Sequence, residues 1–188
     1  MRALRFSTLL LATALIAFAA CNDNSLGLPT ATLNNVVDSV SLWAVDGTPI
    51  NTPSAYNIID RSPVLTYQTT EFDFAFNITP SGDAVLLPTG AVGLGKQSGI
   101  LVQSKAFDAI TEAPSSGYQD SVAVTMDSGT VAILHSRPVS FPRCPFVVFF
   151  YAKLQVLRVD MLARRIDYNI LVDQNCGHRG LEPGIPKR

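Results

Sequence analysis

The stretch FVVFFYAKLQVLRVDMLARRIDYNILVDQNC, Phe146 to Cys176, decides how the fold is read. Two apolar runs, Phe146 to Val159 and Ile166 to Val172, flank a charged break from Asp160 to Arg165. In the second run Ile166, Tyr168, Ile170 and Val172 alternate with Asp167, Asn169 and Asp173. That period of two turns one face of a strand toward a core and the other toward solvent. β-Branched and aromatic side chains fill both runs, as a pleated, half-buried surface requires. The stretch predicts an antiparallel hairpin whose tip carries Arg164 and Arg165 into solvent.

A chain of 188 residues that is 47% hydrophobic and 15% charged can bury one core but not two, so a single domain is expected. The first twenty residues stand apart from it. Arg2 and Arg5 precede an apolar run from Phe6 to Ala17, and small residues lead up to Cys21, the pattern of a secretory signal over residues 1–20. Removing the two leader arginines takes the 14 basic residues to 12 against 15 acidic ones, a net charge of −3. That balance offers nothing to steer nucleic acid.

Phe18-Ala19-Ala20-Cys21 resembles the lipobox of bacterial lipoproteins, with Phe18 where an aliphatic residue is usual. The resemblance implies that Cys21 becomes a lipid-bearing N-terminus and that the membrane is a partner through this anchor. The expected location is the bacterial cell envelope, with the outer membrane favoured. Asn22 and Asp23, which follow the cysteine, are read differently by different sorting systems and leave the leaflet open. Of three cysteines, one lipidated leaves Cys144 and Cys176, an even pair in an oxidising compartment and hence an expected disulfide. A turn centred near Ala163 sets Phe150, not Cys144, opposite Cys176. A bulge or a fold-back at Pro142 to Pro145 must therefore bring the sulfurs together.

Residues 21–35, rich in Asn, Ser, Thr, Gly and Pro, read as a flexible stalk, residues 36–182 as the β domain and 183–188 as a loose tail. Val36 to Val45 gives a first strand, with Trp43 filling a core or a sheet edge, and Val64 to Thr69 a short second one. In FDFAFNI, Phe72, Phe74 and Phe76 alternate with Asp73, Ala75 and Asn77, one buried sheet face. The glycines at 90, 93, 95 and 99 lack the GK[ST] of a phosphate loop and read as bulges or close backbone approaches. Val122, Val124 and Met126 turn at Asp127-Ser128-Gly129 into Val131, Ile133 and His135, an expected second hairpin. His178, in a Gly-flanked stretch, reads as a surface loop residue. The fold class is all-β: a single antiparallel, sandwich-like domain with at most one short helix.

Three segments, Phe72 to Phe76, Phe107 to Ser121 (with Phe107 to Pro114, Gly117-Tyr118 and Asp120-Ser121 carrying the likeness) and Tyr151 to Leu157, resemble in order the recurring segments of the HmuY-like lipoproteins. The resemblance covers about half the chain, Phe72 to Val159. It implies an all-β, lipid-anchored envelope protein without catalytic activity, with haem or another small ligand as what it would bind. The family often has Trp at the place of Phe72, and the segment between Tyr118 and Tyr151 is short here. No ligand transfers by motif; His135 and Met126 are the local candidates for haem iron. The alternative is a structural or protein-interaction lipoprotein with no small-molecule ligand. Catalysis is not expected: no serine sits in G-x-S-x-G, only two histidines exist, and Asp108 with Glu112 fits a solvated face. No metal site is expected either, because the cysteines lack CxxC spacing.

Overall fold

The computed structural model describes residues 27–186. The expected hairpin is its spine. The long strands are β9, Tyr151–Asp160, and β10, Arg165–Asp173, paired antiparallel about the Met161–Arg164 turn. Register shifts between Asp167 and Tyr168, so Leu157 is the extra residue of a bulge. Ile166, Tyr168, Ile170 and Val172 all enter the core, as their alternation predicts.

The described residues hold eight further strands: β1 (Val37–Trp43), β2 (Ala55–Asn57), β3 (Ser62–Val64), β4 (Phe74–Ile78), β5 (Ala84–Pro88), β6 (Gly99–Gln103), β7 (Val124–Thr125) and β8 (Val131–His135). Among the described residues they make two five-stranded antiparallel sheets, β1-β10-β9-β8-β6 and β3-β2-β4-β5-β7. The domain is an all-β sandwich. Leu42, Leu134, Leu154 and Tyr168 of the first sheet meet Tyr56, Phe74, Phe76 and Leu86 of the second in one buried cluster. Among the described residues the helical pieces are two 3-10 turns, Thr89–Val92 and Phe107–Ala109, and no described helix is long and apolar enough to cross a membrane.

Several expectations are corrected. The strand expected at Val64 to Thr69 ends at Val64, and Leu65 onward turns. Val124–Thr125 and Val131–His135 are not a hairpin. The first pairs with β5 and the second with β6 and β9, so the Gly129 turn carries the chain from one sheet to the other. Phe72 leaves the face of Phe74 and Phe76 and packs with Ala55 and Ala75 on the opposite side of the second sheet. Arg164 is not merely solvated: it donates to Asp46 O at 2.8 Å and Ile78 O at 3.1 Å, fastening the hairpin tip to the second sheet. Trp43 lies on edge strand β1 with the Arg165 guanidinium 5.9 Å from its ring centre, as a sheet-edge residue.

Candidate functional site

The lipid-anchor candidate, Cys21, and the leader 1–20 lie outside the described residues. The other two cysteines are joined: Cys144 and Cys176 form a disulfide with Cα atoms 5.6 Å apart. The route is the fold-back. Val139 and Val148 exchange backbone hydrogen bonds of 2.7 and 2.9 Å, making Phe141 to Val147 a loop that turns Cys144 inward toward Cys176.

Beside that disulfide, much of the expected stalk is tied down. Asn175 accepts from the backbone N–H groups of Thr32 and Leu33 at 2.9 Å each and donates to Leu33 O at 3.0 Å. His178 is buried rather than a surface residue, and its Nε2 donates to Pro29 O at 2.9 Å. Asn35 pairs with Gly184 through both backbone groups and donates from its side chain to Gly180 O at 2.8 Å. Chain therefore belongs to the domain from Pro29 onward, and the tail is held as far as Gly184. Asp173, buried behind this strap, orients Asn175 by accepting from its N–H and Nδ2. Burial pushes the Asp173 carboxyl up, and the Asn175 donors oppose the rise.

The two haem-ligand candidates do not come together. Met126 is fully buried in the core between the sheets. His135 ends β8 in the register of Val131 and Ile133, which pack on the outer face of the first sheet. There its ring is met edge-on by Tyr118 and Phe149, each with a centroid 4.8 Å away. Nδ1 donates to Ser136 O at 2.9 Å, which leaves Nε2 as the nitrogen able to accept or ligate. Burial lowers the imidazole pKa below 6.5, against the Ser136 carbonyl and the charges of Asp73 and Asp120, so the ring is neutral at pH 7. Gly99 was expected to mark a close approach, and it does: a Cβ there would stand 2.6 Å from His135 Nε2 and from Tyr118 Cβ. Gly90 is another, where a Cβ would run into the Asp120 carbonyl oxygen. Among the described residues no three His, Cys, Asp or Glu side chains gather as a metal site.

Comparison with known proteins finds no family model and no curated protein that matches this chain. The likeness to the HmuY-like lipoproteins rests on the segments quoted above.

Besides Asp173, two buried charges escaped the sequence reading. Asp73, assigned by alternation to an open face, is instead a buried hub. Its Oδ2 accepts from Ile58 N at 2.6 Å and its Oδ1 from Arg137 N at 2.6 Å and Nε at 3.2 Å, while its carbonyl accepts from Ser98 Oγ at 2.5 Å. Burial raises its pKa and the Arg137 and Ile58 donors pull it back. Lys153 is only 1% exposed; its ammonium donates to Phe107 O and Ile110 O at 2.9 Å each and lies 4.5 Å from the Phe107 ring centre. This fixes the Phe107 turn onto β9. The signal for both was a charge inside an otherwise apolar run, which is expensive to bury unless it is paired.

Proposed function

We propose that this protein is an exported lipoprotein of the bacterial cell envelope, held by Cys21, whose sandwich serves as a non-catalytic module at the membrane surface. One observation carries the reading. With Cys144 bonded to Cys176, the third of the chain's three cysteines is the one that follows Phe18-Ala19-Ala20 at the end of the apolar leader. A structural disulfide suits an oxidising compartment and so agrees with export. Two or more acyl chains on Cys21 would hold the domain at the bilayer, with the outer membrane as its destination. Metabolic labelling with a clickable fatty acid tests this: label and membrane association should both vanish in Cys21→Ser. An unlabelled wild-type chain in the soluble fraction would contradict it.

Haem binding is the second reading, supported by the neutral imidazole of His135 among Tyr118, Phe149 and Tyr151. Iron would meet Nε2, whose approach passes Gly99 and Tyr118, so the Tyr118 segment would have to shift. Met126, sealed between the sheets, would not supply the other axial bond to the same iron. Titrating the mature chain with hemin should give a shifted Soret band that weakens in His135→Ala. A flat titration removes haem and leaves a structural or protein-binding lipoprotein.

A further inference from the structure

The fold-back loop that delivers Cys144 also carries exposed apolar surface. Phe141 is 83% exposed and Val147 69%, with Pro142, Pro145 and Phe146 exposed beside them. Single exposed apolar side chains are ordinary, but five within seven positions form a patch that calls for a partner. Nor is the loop slack: the Val139–Val148 bridge and the disulfide hold its base, so the side chains are presented rather than frayed. Its one charged residue, Arg143, pairs with Asp60 at 2.7 Å.

The occupant follows from how near Cys21 stands in sequence to the base of this loop. Leu28 lies against Gly177, next to the disulfide: a Cβ at Gly177 would stand 2.5 Å from Leu28 Cδ2 and 3.5 Å from Phe146 Cε2. From Pro29 onward the strap is hydrogen-bonded to the domain. Cys21 precedes Leu28 by seven residue steps. At roughly 3.3–3.6 Å per residue they reach at most about 25 Å. An anchor at Cys21 therefore keeps this loop close to the bilayer.

We infer that the Phe141 to Val147 loop inserts into the lipid surface to which Cys21 is fastened, a second, apolar point of attachment that orients the sandwich. This rests on the lipid-anchor reading. The contact is driven by apolar burial and is insensitive to salt, because its single arginine is already paired. The hairpin tip, with Leu162 98% exposed, lies at the far end of β10 and points away from the bilayer.

Tryptophan placed at these positions in the full lipid-bearing chain tests the inference. The chain is reconstituted into phosphatidylcholine vesicles with or without brominated acyl chains, the parent's Trp43 serving as baseline. Phe141→Trp and Val147→Trp should show blue-shifted emission that the brominated lipid quenches, unchanged by high salt, whereas Leu162→Trp should show neither. Unquenched emission at 141 and 147 in a chain that floats with the vesicles and carries lipid by intact mass would overturn the contact and leave the anchor standing. A chain whose mass shows no lipid would overturn both. All three positions are exposed, so the substitutions leave the core untouched.

Discussion

Asp73→Ala should be among the most damaging single changes in this domain, and the structure sets its size. The carboxylate is fully buried and satisfies two backbone N–H groups, of Ile58 and Arg137, as well as the Arg137 guanidinium. Removing it strands two donors and a largely buried cation. Breaking a buried pair in this way costs about 3–5 kcal/mol. Arg137→Ala removes the charged Nε contact at 3.2 Å but leaves Asp73 its two backbone donors, so it should cost less, about 1.5–3 kcal/mol. Asn at 73 keeps one accepting oxygen and should fall between them. In urea unfolding followed by Trp43 fluorescence, a slope of about 2 kcal/mol per M turns the Asp73→Ala loss into a midpoint lowered by about 2 M. The ranking decides the matter. Arg137→Ala costing as much as Asp73→Ala, or Asp73→Ala costing less than about 1 kcal/mol, would refute the hub.

Other consequences can be measured alongside. Replacing both Cys144 and Cys176 by Ala opens a loop with a sequence separation of 32 and should lower stability by about 3.7 kcal/mol on the chain-entropy account; equal urea midpoints for the pair variant and wild type would contradict this. Because burial depresses the His135 pKa, its contribution to stability is complete above pH 6.5 and is lost as pH falls through the lower folded value. Thermal melts between pH 7 and 5 should therefore show a component that His135→Gln removes. Tyr168 is fully buried, and its hydroxyl has no hydrogen-bond partner among the described residues. Tyr168→Phe should accordingly be neutral or stabilising, and a loss above about 1 kcal/mol would reveal a bound water there.

Long-range pairing was legible where one face of a strand is buried and the other wet. The Ile166 to Val172 alternation, reinforced by Ser39–Asn169 and Ser41–Asp167 bonds on the solvent side of β1 and β10, fixed the spine. The cysteine count, set beside the lipobox resemblance, supplied the disulfide, and the register mismatch at Phe150 pointed to the fold-back that delivers it. Sheet membership was not legible. Val122 to Met126 and Val131 to His135 alternate equally well, and nothing local distinguishes a hairpin from a turn that crosses the sandwich. Alternation also misplaced Asp73, because the strand starts only at Phe74 and the residue before it turns inward to collect donors. Composition misjudged the stalk: residues typical of a flexible linker are here bound by Asn175 and His178, which lie about 140 positions away. As for the candidate site, the sequence offered His135 and Met126 as local candidates, but the intervening turn crosses the sandwich and leaves Met126 in the core beside the second sheet and His135 on the outer face of the first.

The central claim is that the polypeptide is fastened by its first mature cysteine while the other two clamp the fold. Intact-mass analysis of the detergent-extracted protein tests it most directly. It should show a chain beginning at Cys21 that carries a diacylglyceryl group and a further acyl chain, with Cys144 and Cys176 oxidised to each other. A retained leader, or a bare Cys21 thiol, would contradict the account.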